Sequence, residues 1–95
     1  MSERTYGTVT FTTVSSSASS KTIIAANPRR RKLILVNTST AILYLDFTGG
    51  TATATTAHGY QMASNTNLIL DNYTGPISGI WASANGQVNV TEFMV

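Results

Sequence analysis

The chain has 95 residues, of which only 11% are charged, and it contains no cysteine. This length predicts one domain, and the lack of cysteine excludes disulfides and cysteine-ligated zinc as its stabilising elements. The formal net charge of +2 depends on one run of four basic residues, so the composition argues against the broadly basic surface of a nucleic-acid-binding domain.

The first twenty residues form a Thr- and Ser-rich segment that begins MSERTYGTVT and has no apolar signal core. Within it, YGTVTFTTV alternates Gly7, Val9 and Phe11 with threonines, which predicts a half-buried strand. Residues 1–20 are interpreted as an extended arm, an edge strand or a strand donated to a neighbouring subunit. We expect this segment to act in assembly, because a long Thr-rich strand left on a free edge promotes aggregation.

Residues 21–95 are predicted to form the folded domain. KTIIAAN predicts a strand that Asn27-Pro28 ends, since proline lacks the backbone N–H. KLILVN and AILYLDF, joined by the polar TST turn, are nearly continuous apolar runs and predict strands in the middle of sheets. A long Gly-, Ala- and Thr-rich connection follows, and NLILD predicts the next strand.

The last segment, ISGIWASANGQVNVTEF, predicts a hairpin with a two-residue type I′ turn at Asn85-Gly86. In that register Trp81 lies opposite Val90, and Trp81, Val88 and Val90 share the face assigned to the core. The chain as a whole predicts an all-β fold. We expect a small antiparallel β-sandwich or barrel of about seven to eight strands, in jelly-roll or immunoglobulin-like order, with an extended N-terminal arm.

Catalytic and metal-binding motifs are lacking. His58 is the only histidine, and TTAHGYQ supplies neither a nucleophile nor an orienting partner for it. A metal site needs two or three ligands that a lone histidine does not provide. The sequence therefore predicts a protein that is not an enzyme and has no cofactor. His58, with Tyr60 and Tyr73, is assigned to a candidate interface loop, because tyrosines in polar turns give large contact areas.

The basic run, hereafter the basic tetrad, comprises Arg29, Arg30, Arg31 and Lys32. Because side chains alternate along a strand, Arg29 and Arg31 are expected to point opposite to Arg30 and Lys32. The tetrad is interpreted either as a solvated strand entrance or as a docking patch for an acidic protein surface. Nucleic acid is the least favoured partner, since no stacking aromatics are interleaved with the charges.

Two stretches, NPRRRKLILVNTSTAILYLDF and YTGPISGIWASANGQVNVTEF, together resemble small all-β virion proteins of tailed bacteriophages, which serve as head decoration (cement), head-fibre or minor structural proteins. The resemblance covers residues 27 to 93. It implies no catalytic residues. It implies a subunit, often a trimer, that binds the major capsid protein or other virion proteins and ties neighbouring capsomers together.

The functional expectation is a capsid decoration protein, made in the host cytoplasm and located in the virion. No membrane is expected as a partner, because no apolar run approaches the roughly 20 residues of a membrane helix. Two alternatives stay open: a receptor- or glycan-recognition module of a fibre or tail, and a head–tail connector or tail component.

Overall fold

The computed structural model describes residues 7–47, 54–55 and 59–95. Within these ranges the chain forms no helix, and so none that could cross a membrane. Its eight strands are β1 (Thr8–Ser15), β2 (Lys21–Ile24), β3 (Arg30–Asn37), β4 (Leu43–Asp46), β5 (Tyr60–Met62), β6 (Thr66–Asp71), β7 (Ile77–Trp81) and β8 (Gln87–Met94).

The strands form two antiparallel sheets that pack face to face. One sheet, with the order β1-β8-β3-β6, is called the long sheet, and the other, with the order β2-β7-β4-β5, the short sheet. Consecutive strands change sheets at every connection except β4 to β5. This order is that of a jelly roll. The expected antiparallel sandwich is confirmed, and the jelly-roll order replaces the immunoglobulin-like alternative.

The core lies between the two sheets and is built mainly from alternate residues of the central strands. β3 contributes Leu33 and Leu35, and β4 contributes Leu43 and Leu45, all fully buried. Each such side chain stabilises the fold by roughly 1.5–3 kcal/mol relative to an exposed position. β3 lies between β8 and β6, and β4 between β7 and β5, so the predicted central position of both strands is confirmed.

The predicted hairpin at Asn85-Gly86 is wrong. β7 and β8 belong to different sheets, and only Gly86 of the two turn residues has a positive φ, whereas a type I′ turn requires both. The chain crosses here between the sheets and packs on the β3–β4 connection, where Ala82 N–H donates to the Ile42 carbonyl at 2.9 Å. A Cβ atom on Gly86 would lie 2.5 Å from Ser39 Cα. The glycine therefore permits a close crossing instead of a hairpin.

The residues assigned to the core from this segment are buried, although they come from opposite sheets. Trp81 enters from the short sheet, and Val88 and Val90 enter from the long sheet; each is at most 2% exposed. The first strand was predicted to be half-buried, but nearly all of it is exposed. Val14 is the buried residue of β1, whereas Phe11 is 79% exposed.

Candidate interaction surface

The basic tetrad does not act as one surface patch. Arg30 is completely buried, Arg29 and Arg31 are exposed, and Lys32 is half-buried. The interpretation of Arg30 as a docking residue is therefore corrected, because its guanidinium group has no surface from which to reach a partner. Arg29, Arg31 and Lys32 stay candidates for docking.

A β-bulge explains why Arg30 does not share a side with Lys32, as alternation along a regular strand predicted. In β3 the inward positions Leu33, Leu35 and Asn37 predict that Arg31 points inward and Arg30 outward. The register with β8 shifts between Arg30 and Lys32, so one extra residue is inserted there. A bulge reverses the facing of the residues that precede it, and Arg30 consequently turns into the sandwich.

Buried Arg30 joins three segments at one end of the sandwich. Its Nε donates to Glu92 Oε2 of β8 at 2.7 Å, and Nη1 donates to the carbonyls of Tyr73 and Gly75 at 3.1 and 2.9 Å. Nη2 donates to the Ala25 carbonyl at 2.5 Å. A buried charge is tolerated only when it is paired and hydrogen-bonded. Arg30 meets this condition and holds the β2–β3 and β6–β7 connections against β8.

Tyr73 belongs to the same end and is half-buried. Its hydroxyl lies within hydrogen-bonding distance of two carbonyl oxygens, that of Pro76 at 2.7 Å and that of Phe47 at 3.2 Å. Its ring packs edge-on against the ring of Phe47. Burial raises the pKa of Tyr73 above its usual 10.0; the Arg30 charge opposes this effect and Asp46 adds to it. The placement of Tyr73 in an exposed interface loop is therefore corrected: its polar group orders the β6–β7 connection.

The opposite end of β3 carries a second buried polar cluster, centred on Asn37, which the sequence analysis did not identify. Asn37 is fully buried, and its Nδ2 donates to the carbonyls of Ala41 at 2.9 Å and Met62 at 3.0 Å. Its Oδ1 accepts from the Ser39 hydroxyl at 2.8 Å and lies 3.4 Å from Trp81 Nε1. The available signal was the N-T-S triplet directly after an apolar strand, since such side chains commonly satisfy turn backbone groups.

The other residues of the candidate interface loop do not form a group with Tyr73. Tyr60 lies in β5, opposite Leu45, and is 46% exposed. It is thus an exposed aromatic on a strand and not in a turn. His58 lies outside the described residues. In the part of the chain that the structure describes, no three His, Cys, Asp or Glu side chains come together as metal ligands would.

Three of the six exposed large hydrophobic side chains of the described residues, Val9, Phe11 and Ile69, lie on the outside of the long sheet, which is called the outer face. Register with β8, β3 and β6 places Phe11, Thr91, Ile34 and Ile69 in one row across all four strands. Neighbouring rows add the other outward residues: Val9, Phe93, Lys32, Asp71, Thr13, Asn89, Val36 and Asn67.

Within the outer face, Phe11 and Ile69 are 79% and 51% exposed. Its charged residues, Lys32 of the basic tetrad and Asp71, lie opposite each other in one row, and the other two rows are uncharged. A patch that combines exposed aromatic and aliphatic side chains with few charges is typical of a protein–protein contact. The exposure of Phe11 was not predicted, because its alternation with threonines was interpreted as a half-buried strand.

Comparison with known proteins identifies the fold but no family. No known protein family matches the chain, and no curated protein sequence matches it. A solved structure from Bacillus endospore appendages, described as a novel family of disulfide-linked pili, superposes with a TM-score of 0.50 and 16% sequence identity, over 100% of this chain and 97% of that chain. At this identity the similarity concerns the fold alone.

Proposed function

We propose that this chain is a structural virion protein that decorates an assembled bacteriophage head and stabilises its lattice. The observation that carries the proposal is the outer face, a surface of a jelly roll in which exposed apolar side chains alternate with threonines and asparagines and charges are few, with Phe11 79% exposed. Such a surface is costly to leave in water and loses little hydration of charges when it is covered.

The charges at one end of the outer face indicate the chemistry of the partner. Arg31 is exposed and Lys32 half-buried where β3 begins, and Arg29 is exposed just before them. Guanidinium groups bind carboxylates in pairs of hydrogen bonds. We therefore expect the capsid protein to carry an apolar patch bordered by carboxylates. The patch would cover the outer face, and the carboxylates would bind Arg29, Arg31 and Lys32.

Two general considerations support a structural role. Jelly rolls recur in viral capsid and lectin domains, and the pili of the Bacillus neighbour are assemblies of subunits with a similar fold. Since this chain contains no cysteine, disulfides cannot link its copies as they link those pili. A protein that binds the assembled lattice but not its free subunits stabilises the lattice by mass action, and this role requires no catalytic residue.

Sedimentation with capsid shells tests the proposal. Purified protein is mixed with shells assembled from the major capsid protein of the phage that would carry it, and bound protein is measured in the pellet. We expect saturable binding that Arg31→Glu weakens by about tenfold or more, because one carboxylate contact is lost and one repulsion added.

The matched control is Lys21→Glu, an identical change of charge on β2 at the edge of the short sheet. It should leave binding unchanged. Equal loss in both variants would reduce the effect to net charge, and no binding of the wild-type protein to shells would contradict the proposed function.

The recognition-module alternative relies on Tyr60, since Tyr73 is committed to internal hydrogen bonds. It predicts that the isolated protein binds host cells or glycans and that Tyr60→Ala abolishes this binding. A head–tail connector predicts rings of six or twelve copies.

A further inference from the structure

We infer that two copies of this chain associate through β1, whose free edges pair antiparallel about a two-fold axis and join two long sheets into one eight-stranded sheet. The inference goes beyond the proposed function, since it concerns the protein in solution and needs no capsid.

β1 has the least protected of the sheet edges in the described residues. Its register with β8 runs unbroken over eight pairs, and TVTFTTVS contains neither charge nor proline. Of the other edge strands, β2 carries Lys21 and a register shift, and β5 has only three residues. β6 carries a charge at its last residue, Asp71, and is flanked at its two ends by Asn65 and Asn72, which both have positive φ. Natural edges are normally blunted by such charges, bulges or short lengths.

The hydrogen-bonding groups at the free edge follow from the pairing with β8. Ser16 N–H donates to the Gly86 carbonyl at 2.9 Å, in line with the β1–β8 register. Antiparallel strands alternate between residues that bond one neighbour and residues that bond the other side. The even-numbered residues of β1 therefore bond β8, and the backbone groups directed to the free edge belong to Val9, Phe11, Thr13 and Ser15, of which the Ser15 carbonyl accepts from Lys21 Nζ at 3.1 Å.

These edge groups are complementary to a second copy of themselves. With Phe11 opposite the partner's Phe11, Val9 lies opposite the partner's Thr13 and reciprocally, so three residue pairs form six backbone hydrogen bonds. In this register outward residues face outward residues, and the two outer faces become one continuous surface. The two Phe11 rings become cross-strand neighbours, and such aromatic pairs are favourable.

The side chains of β1 add a second reason for a partner. Except for Val14, every residue of β1 is exposed, including the inward Thr8, Thr10 and Thr12. No charge on β1 repels its copy, so the dimer is expected to resist salt. A two-fold contact also closes, whereas β1 pairing with β6 of another copy would generate open fibres.

Cysteine cross-linking tests the register, and the natural absence of cysteine makes the result unambiguous. Paired Cα atoms in this geometry lie about 5.5 Å apart, within disulfide range. Phe11→Cys is therefore expected to form a disulfide dimer on oxidation. Val9→Cys is the control, because the two Val9 positions would lie about 14 Å apart. Absence of the Phe11→Cys dimer, or equal cross-linking of both variants, would overturn the inference.

Light scattering on the unmodified chain provides an independent measurement. The expected mass is twice the 10.1 kDa of the chain, at low and at high salt. Thr13→Pro removes an N–H directed to the free edge and should weaken association by about tenfold or more, since each dimer loses two hydrogen bonds.

Asn67→Pro is the matched control, a proline on the edge strand β6, and it should preserve the dimer. A wild-type monomer, a trimer or an open polymer, or loss of association in both proline variants, would contradict the two-fold pairing.

Discussion

β1 and β3 are both eight residues long and both pair with β8, yet they differ in almost every other respect. β3 alternates buried and partly exposed residues over most of its length, whereas β1 buries only Val14. The difference lies in their surroundings. β3 has a strand on each side and the short sheet above it, while β1 is an edge strand from which only Val14 joins the core. Membership in a sheet thus does not decide burial.

The two ends of β3 explain how the sandwich is closed. Arg30 ties loops at one end through a charged group, and Asn37 ties loops at the other end through a neutral amide. In the same sheet β1 carries no such anchor. Substitutions at the ends of β3 should therefore affect stability strongly, and a substitution in the middle of β1 should affect association instead.

The largest effect is expected for Arg30→Leu, which should lower the free energy of unfolding by about 3–5 kcal/mol, because Glu92 is left without its buried partner. Urea denaturation measures the loss. Arg31→Leu, a neighbouring change on an exposed residue, should stay within about 0.5 kcal/mol. The double variant Arg30→Leu/Glu92→Leu should be more stable than Arg30→Leu alone. Similar losses at Arg30 and Arg31 would contradict the buried role of Arg30.

An intermediate effect is expected for Asn37→Ala, about 1–3 kcal/mol, because the Met62 carbonyl loses the Asn37 amide as its donor and the Ala41 carbonyl keeps only the Ser39 hydroxyl. The same urea titration applies. Asn67→Ala removes an exposed amide from β6 and serves as the control, with a change within about 0.5 kcal/mol. If the two alanine variants were equally stable, the Asn37 cluster would contribute nothing to closing the sandwich.

The smallest effect on the folded chain is expected for Phe11→Thr. At low protein concentration its free energy of unfolding should match the wild type within about 0.5 kcal/mol, because the ring is exposed. At higher concentration the wild type should gain stability by mass action and the variant should gain less. Thermal unfolding over a concentration series measures both. A wild-type midpoint independent of concentration would argue against the dimer.

Much of the fold was predictable, because local patterns carry the information. Continuous apolar runs identified the central strands β3 and β4. Trp81, Val88 and Val90 are buried as predicted, although the hairpin register from which they were assigned is wrong. The second strand ends at Ile24, three residues before the Asn27-Pro28 pair that was predicted to end it. Side-chain chemistry and strand periodicity depend on residues that are close in the chain, so they can be recognised from the sequence alone.

The failures share a different cause, which is contact between residues distant in the chain. Arg30 and Glu92 are separated by 62 residues, and the bulge that turns Arg30 inward is defined only against β8. The Asn85-Gly86 pair is compatible with a hairpin or with a sheet crossing, and the packing of Gly86 on Ser39 decides in favour of the crossing. The candidate site was hidden in the same way, since the exposure of Phe11 depends on what lies across from β1.

By itself, the sequence determined an all-β chain without cysteine, the approximate positions of its strands and a low surface charge, since these properties reside in residue types and their spacing. Only the tertiary structure decided the jelly-roll order, the burial of Arg30 and the outward direction of Phe11. These features depend on register, and register is fixed when strands from distant parts of the chain satisfy one another's hydrogen bonds and cover one another's apolar side chains.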